Sequence, residues 1–289
     1  MKQLFSGLAA WCLLVSLSGP AKAQYTFTTI DPLGSVLTHA KGIDDAGQIV
    51  GYYSDADTCH GFLLDVDGSY STLDPPGSVW TVASGINNSG QIVGEYRDAV
   101  GIHGFLLDVD GSYTTLDVPG STQQTRAYGI NGSGQIVGAY WDRFPNRLHG
   151  FLREVDGTYT TVDVPGGEDA YVNGINDAGK IVGDYAYAAD GYLSHGFLLD
   201  GGIYTTLDVP GSYSTNANGI NASGQIVGDY VAVLPFHGFL LDVDGTYTTL
   251  DVPGSTDTFA SGINDGGEIV GYYTDFFGMS HGFLATPVP

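Results

Sequence analysis

The chain has 289 residues, a formal net charge of −23, 44 glycines and 19 tyrosines. Such an acidic balance excludes nucleic acid and anionic membrane surfaces as long-range partners, because like charges repel. The abundance of Gly and Tyr favours strands and tight turns over helices.

The first element is an export signal. Lys2 precedes a mostly apolar segment from Leu4 to Leu17, and Ala21-Lys22-Ala23 forms a small-residue cleavage site. The apolar segment is shorter than the roughly 20 residues that a membrane span needs. We therefore predict a signal peptide over residues 1–23, cleavage after Ala23, no membrane insertion, and a secreted protein that is extracellular or periplasmic.

The remainder of the chain, residues 24–289, is a repeat. A Gly-Ile-Asn/Asp marker recurs at intervals of 43–45 residues. Its six copies start at Gly42, Gly85, Gly129, Gly174, Gly219 and Gly262. A His-Gly-Phe marker also occurs six times, at His60, His103, His149, His195, His237 and His281.

One repeat contains four strand-length segments separated by turns. In the second full copy these segments are Gly104–Val109, Ser112–Val118, Thr125–Ile130 and Gln135–Tyr140. Asp110-Gly111 predicts a two-residue hairpin turn with positive φ at both positions. Pro119-Gly120 predicts a type II turn. No segment after residue 24 has a sustained helical period.

Four short antiparallel strands in each repeat of this length are typical of a propeller blade. We predict an all-β, six-bladed β-propeller of four-stranded antiparallel blades. Tyr25–Asp31 matches the second strand of a repeat and His281–Ala285 matches the first. Pairing of these N-terminal and C-terminal strands in one blade is expected to close the propeller. Glycines within the fourth strand, such as Gly94, Gly138 and Gly183, are expected to let neighbouring blades approach closely.

The repeats resemble the HAF repeat family, which is named for a His-Ala-Phe motif. Here the motif is His-Gly-Phe, beside Gly-Ile-Asn-x-x-Gly-Gln-Ile-Val-Gly, and the resemblance covers residues 25–285. The resemblance implies export and a repeat architecture. It assigns no catalytic residue.

The repeated histidine has two interpretations. If the His-Gly-Phe strand lined the central channel, six imidazoles would form a ring that could bind a metal ion. The alternative is a structural hydrogen bond between blades, to an aspartate that recurs at 31, 74, 117, 163, 208 and 251. We favour the structural role, because a feature present in every blade serves what all blades share.

Asp-x-Asp-Gly sequences raise the question of calcium. They occur at Asp65/Asp67, Asp108/Asp110 and Asp242/Asp244. Calcium needs six to eight oxygen ligands, and two aspartates in a hairpin supply too few. We interpret these sequences as hairpin turns and predict no cofactor, with weak surface binding of calcium as the alternative.

The connections that follow the fourth strand differ most between repeats. Several carry aromatic and Arg residues, which dominate binding hot spots, and Arg can hold a carboxylate in a fork. The alternative is that these side chains cover the stems of their own loops. The predicted contact residues are Trp141, Arg143, Phe144, Arg147, Arg97, Arg126, Tyr192 and Phe236.

These patterns predict a secreted, non-enzymatic recognition scaffold, a monomer that binds an extracellular glycan or protein. The sequence contains no nucleophile, metal-protease or phosphate-loop motif, so no catalytic residue is predicted. Two alternatives remain open: a propeller hydrolase or lyase that acts on extracellular polysaccharide, and a structural surface or matrix protein.

Overall fold

The computed structural model describes residues 25–121, 124–142 and 147–288. The predicted signal peptide lies outside the described residues. The strands, in chain order, are β1 (Tyr25–Ile30), β2 (Leu37–Ile43), β3 (Ile49–Ser54), β4 (Cys59–Leu64), β5 (Tyr70–Leu73), β6 (Trp80–Ile86), β7 (Ile92–Arg97), β8 (Ile102–Leu107), β9 (Tyr113–Leu116), β10 (Gln124–Ile130), β11 (Ile136–Asp142), β12 (Arg147–Arg153), β13 (Tyr159–Val162), β14 (Ala170–Ile175), β15 (Ile181–Ala186), β16 (Ser194–Asp200), β17 (Ile203–Leu207), β18 (Ser214–Ile220), β19 (Ile226–Val231), β20 (His237–Leu241), β21 (Tyr247–Leu250), β22 (Asp257–Ile263), β23 (Ile269–Thr274) and β24 (Ser280–Pro287). One 3-10 helix covers Ala188–Asp190.

The strands form the sheets of an all-β propeller. Four sheets have four strands each, in the orders β2-β3-β4-β5, β14-β15-β16-β17, β18-β19-β20-β21 and β22-β23-β24-β1. The eight-stranded sheet consists of β6–β9 and β10–β13, joined by a single parallel residue pair, Ile102 and Gln124. Strand β1 pairs antiparallel with β24, with Tyr25 opposite Pro287 and Ile30 opposite Gly282. No helix in the described part of the chain is long and apolar enough to cross a membrane.

The Gly-Ile-Asn strands are the innermost. Strands β2, β6, β10, β14, β18 and β22 each contact the next, and β22 contacts β2. Residues of all six strands line one central cavity of about 560 Å³. The metal-ring interpretation of the histidines depended on the His-Gly-Phe strand lining the channel, but that strand is the third in its sheet, as in β2-β3-β4-β5.

The marker glycine explains which strand lies inside. A Cβ atom at Gly42 would lie 3.1 Å from the Ser84 carbonyl oxygen and 3.2 Å from the Gly85 Cα, both on the next inner strand. A side chain here would push the inner strands apart. Glycine therefore sets their close spacing.

The glycines of the Ile-Val-Gly strand have a different role from the predicted one. A Cβ at Gly94 would lie 2.1 Å from the Val82 carbonyl oxygen and 2.7 Å from the Phe105 ring. Both neighbours belong to the same sheet, where Gly94 faces Phe105 across β7 and β8. The expected contact between blades is wrong: this glycine makes room for a phenylalanine of its own sheet, and Gly138 and Gly183 do the same for Phe151 and Phe197.

The core lies between neighbouring sheets. The phenylalanine of every His-Gly-Phe marker has no exposed surface: Phe62, Phe105, Phe151, Phe197, Phe239 and Phe283. One cluster shows the arrangement, because Val50 of β3 packs with Ala83, Ile92 and Phe105 of the sheet that follows. Burying such side chains stabilises the fold by about 1.5–3 kcal/mol each.

The hairpin turns lie where the sequence predicted them, but their backbone geometry differs from the prediction. Gly111 has φ +84°, whereas Asp110 has no positive φ, because a left-handed conformation strains a residue with a Cβ. Gly111 N donates to the Asp108 carbonyl at 2.9 Å, which gives a tight turn followed by a left-handed glycine. The Pro119-Gly120 turn matches the prediction, with Gly120 at φ +87° and Ser121 N donating to the Val118 carbonyl at 3.0 Å.

A chain of buried side-chain amides links the inner turns. Each marker asparagine donates from Nδ2 to the main-chain carbonyl of the next marker, at 3.0–3.2 Å. The donors are Asn87, Asn131, Asn176, Asn221 and Asn264, and the last carbonyl belongs to Asp44. The repeated asparagine therefore joins neighbouring repeats.

Candidate functional site

Each repeated histidine contacts the repeated aspartate, as the structural interpretation predicted. The Nδ1 atom lies 2.7–3.0 Å from the carboxylate in all six pairs. The expectation that this bond joins two blades is wrong, because both partners belong to one sheet: His60 is in β4 and Asp74 directly follows β5. None of these histidines lines the central cavity. In the described residues, no group of three or more His, Cys, Asp and Glu side chains could hold a metal ion.

The Asp-x-Asp-Gly carboxylates bind their own turns. Asp65 Oδ1 accepts from Val66 N at 2.7 Å, and Asp67 Oδ1 accepts from Ser69 N at 2.9 Å. Hydrogen bonds from the backbone to Asp side chains are typical of tight turns. They account for the repeated aspartates without a ligand.

The predicted loop residues are dispersed. Arg143 and Phe144 lie outside the described residues. The Arg147 guanidinium donates to the carbonyls of Glu168 and Gly167. Trp141 and Arg126 line one small cavity of about 80 Å³, and Trp141 is half-buried.

The other predicted contact residues are Tyr192, Phe236 and Arg97, and they lie on other strands and loops. Tyr192 is 63% exposed, in the segment after the 3-10 helix. Phe236 is half-buried, with its ring 5.2 Å from the ring of Phe259. Arg97 lies exposed at the end of β7. Arg97 lines a surface cavity together with Gln124, and Arg126 Nη2 donates to Gln124 Oε1 at 3.0 Å.

The central cavity combines positions that differ between repeats. Along the inner strand β2, residues alternate between half-buried and fully buried, and Thr38 and Ala40 are the fully buried ones. The residue before the marker glycine lies on the opposite face of the strand from Thr38 and Ala40. It lines the cavity in all six repeats, as Lys41, Ser84, Tyr128, Asn173, Asn218 and Ser261. Further lining residues are Tyr52, Trp80, Tyr171, Asn216, Glu95 and Asp184.

The carboxylates come from one position of the second strand. It directly follows Ile-Val-Gly, and its six occupants are Tyr52, Glu95, Ala139, Asp184, Asp229 and Tyr272. The strand register places each opposite a variable inner-strand residue; Asp184 faces Tyr171 and Asp229 faces Asn216. Buried acids therefore lie beside the cavity.

Glu95 of β7 and Arg126 of the inner strand β10 form an ion pair in which the glutamate is buried. Arg126 Nε lies 3.0 Å from Glu95 Oε2, and Glu95 is 6% exposed. The Arg126 N–H does not point at this oxygen, so Oε2 accepts no hydrogen bond among the described residues. Burial raises the pKa of Glu95, and the charge of Arg126 opposes that shift.

Asp184 and Asp229 are connected through Ser194 and Asn216. Ser194 Oγ lies 3.0 Å from Asp184 Oδ2 and 2.7 Å from Asn216 Oδ1. Asn216 Nδ2 donates to Asp229 Oδ2 at 2.8 Å. The single hydroxyl proton of Ser194 cannot serve both of its neighbours.

This chain of contacts therefore needs one additional proton. Reversing the Asn216 amide only moves the deficit to its contact with Asp229. Burial raises the pKa of Asp184 to about 6, and Asp229 contributes to the shift. Burial also raises the pKa of Asp229. Burial therefore favours the neutral form of both carboxyl groups, and a proton on either one would complete this chain of hydrogen bonds.

The described structure is similar to β-propeller proteins of diverse activity. It superposes on a streptogramin B lyase with a TM-score of 0.52 and 11% identity, over 91% of this chain and 98% of that chain. A gluconolactonase from Xanthomonas campestris gives a TM-score of 0.56 and 14% identity, over 91% and 90%. A luciferin-regenerating enzyme gives 0.54 and 13%, over 91% and 95%. No protein-family model matches this sequence, and no curated protein does.

These similarities show the fold alone. At such low identity the neighbours carry no residue assignment to this chain. The sequence analysis placed the contact residues mainly in loops of variable length and therefore missed the cavity residues. The available signal was the variation of alternate residues within the inner strands.

Proposed function

We propose that this protein is a secreted, non-enzymatic recognition protein that binds a sugar unit of an extracellular glycan in its central cavity. The observation that carries the proposal is the composition of the cavity wall. Its volume of about 560 Å³ is within the range of about 300–1,000 Å³ typical of small-molecule sites.

The wall offers both kinds of contact that a sugar ring requires. Aromatic side chains provide flat apolar surfaces for the C–H faces of the ring, and these are Tyr52, Trp80, Tyr128 and Tyr171. Carboxylates and amides provide acceptors and donors for hydroxyl groups. A neutral apolar ligand would leave the buried polar groups without partners, which costs about 1–3 kcal/mol for each group.

The proposed architecture behind this site is a closed ring of six blades. Support comes from the inner strands, each of which contacts the next, including β22 and β2, and from the β1–β24 pairing. The single parallel pair between the halves of the eight-stranded sheet is consistent with two blades that touch at one edge. Export through the predicted signal peptide, a monomeric state and membership of the HAF repeat family are part of the same proposal.

A second candidate function is a propeller enzyme that acts on a polysaccharide. It is favoured by the one proton shared between Asp184 and Asp229. A buried acid with a pKa near 6 beside a cavity can donate a proton to a leaving group at neutral pH. The lyase and lactonase among the structural neighbours support this candidate through the fold only.

A glycan array with the purified protein tests the proposal. We expect specific retention of a glycan, lost at least tenfold in Trp80→Ala, which removes an aromatic surface of the cavity. Trp141→Ala is the matched control, because Trp141 lies outside the cavity, and it should retain binding. Loss in Trp141→Ala alone would move the contact surface to the loops and contradict the cavity proposal. Cleavage of a retained glycan would favour the enzyme.

A further inference from the structure

One side of the cavity carries a cation and two hydroxyl groups, all of which can donate hydrogen bonds. Lys41, Ser84 and Ser261 occupy the same repeat position on three consecutive inner strands, β22, β2 and β6, and all three line the cavity. The strands are close at this level. A Cβ at Gly262 would lie 2.8 Å from the Lys41 carbonyl oxygen, and one at Gly42 would lie 3.1 Å from the Ser84 carbonyl oxygen.

The ammonium group of Lys41 has no ion pair with any residue that the structure describes. Lys180, on the outside, shows the contrast, because its Nζ lies 2.8 Å from Asp200. Burial lowers the pKa of Lys41, and the charges of Asp229 and Glu95 oppose this shift without forming an ion pair with it. A desolvated cation without a partner is costly, so this site gains from an anion.

The amide donors of the cavity are already engaged. Asn173 Nδ2 donates to Asp184 and to the Ala217 carbonyl, and Asn218 Nδ2 makes the equivalent pair of bonds with Asp229 and Ala260. By contrast, the hydroxyl groups of Ser84 and Ser261 have no side-chain partner among the described residues. Two hydroxyl groups without a side-chain partner therefore lie on the strands on either side of Lys41.

We propose that Lys41, Ser84 and Ser261 bind the carboxylate of an acidic sugar, so that the ligand of the cavity is a uronic acid or a related sugar acid. This inference rests on the proposed sugar-binding function. One cation and two hydroxyl groups match a singly charged carboxylate. Glu95 and Asp184, which also line the cavity, would repel a doubly charged phosphate more strongly than a singly charged carboxylate.

D-Glucuronate and D-glucose form the test pair, because they differ only in the carboxylate that replaces the terminal hydroxymethyl group. Isothermal titration calorimetry should show glucuronate bound at least ten times more tightly than glucose. Lys41→Met should remove that preference, and Lys41→Arg should restore part of it. Lys180→Met is the control for the loss of a lysine, and it should bind as the unmodified protein does.

Protein stability gives a second readout. Lys41 has no ion pair within the described residues, and burial lowers its pKa. Lys41→Met should therefore raise the melting temperature, whereas removal of a structural lysine would lower it. Ser84→Ala keeps the charge and should weaken glucuronate binding several-fold, so the proposal stays testable if Lys41 variants fold poorly.

Three results would overturn the inference. They are equal affinity for the two sugars, a glucuronate preference that persists in Lys41→Met, and no binding of glucuronate. If the Trp80-dependent retention on the glycan array still holds, the cavity remains a sugar site and only the carboxylate contact fails. If that retention is also absent, the proposed function fails with it.

Discussion

The chain of buried amides predicts that Asp44→Asn stabilises the protein. Five marker asparagines donate to the next carbonyl, but the sixth marker position holds Asp44. The side chain of an ionised aspartate has no donor, so the hydrogen bond from Asp44 to the Asn87 carbonyl is missing. Asp44 is 5% exposed, and its Oδ1 accepts from Gln48 N at 2.8 Å, as Asn131 Oδ1 accepts from Gln135 N at 3.0 Å.

The size of the gain follows from what the amide adds. One net hydrogen bond contributes about 0.5–1.5 kcal/mol, and removal of a buried carboxylate charge adds to it. We expect a total of about 1–3 kcal/mol at pH 7. In a domain of this size, each kcal/mol raises the melting temperature by about 2–4 °C.

The gain should depend on pH with a defined sign. Burial raises the pKa of Asp44, so the folded protein holds this proton more tightly than the unfolded chain does. The destabilisation by Asp44 is absent below the unfolded pKa and develops as the pH rises through the folded pKa. The advantage of Asp44→Asn should therefore be small near pH 4, where a protonated Asp44 can itself donate, and full at pH 7.

Urea unfolding at both pH values measures this effect. Asn131→Asp is the reverse substitution within the same chain of amides, and it should cost about 1–3 kcal/mol at pH 7. A folded Asp44→Asn protein with unchanged or lower stability at pH 7, beside a tolerated Asn131→Asp, would refute the idea that these amides link the repeats.

Other sites give further predictions. Gly94→Ala should abolish folding, visible as loss of soluble protein, because its Cβ would lie 2.1 Å from the Val82 carbonyl. His39 should not titrate between pH 5 and 8 in NMR spectra, since burial, with a smaller effect of Lys41, lowers its pKa to about 3; a midpoint near 6.5 would contradict this. Asp184→Asn should keep or raise the melting temperature above pH 6, because its amide can donate where the carboxyl needs a proton; a large loss would contradict the shared proton. Deletion of residues 25–31 should cause association in size-exclusion chromatography by exposing the edge of β24, and an unchanged monomer would contradict that.

The strands could be predicted from the sequence because the chain repeats its own signals. The expected segment Thr125–Ile130 became β10, Gln124–Ile130, and the two other strands after the hairpin agree as closely. The order of the strands from the axis outward could not be predicted. Both Gly42 and Gly94 lie inside strands, and only coordinates reveal that one meets a neighbouring strand and the other a phenylalanine ring.

The site could have been found by comparing the repeats position by position. The inner strands have the sequences Leu-Thr-His-Ala-Lys-Gly-Ile and Trp-Thr-Val-Ala-Ser-Gly-Ile in the first two copies. Thr and Ala recur in five of the six copies, with Ala170 and Val172 in the remaining one, and they alternate with residues that change. In a strand, such alternation separates two faces, so the variable face is distinct from the face that packs the sheets. The contact between Ser194 and Asp184 was not predictable, because it depends on the start of β16 and its register with β15.

The chemical nature of the variable residues argues against a purely structural role. Glu95 and Asp229 are each 6% exposed, and Lys41 lies in the same cavity without an ion pair in the described residues. Buried charges of this kind lower stability unless they are fully paired, and other repeats place Ala139 or Ser84 at equivalent positions without disturbing the strands. A matrix protein would gain stability from neutral residues at all six positions. A binding site, by contrast, needs charged groups at places where the fold alone would not choose them, which favours recognition or catalysis in the cavity over a structural function.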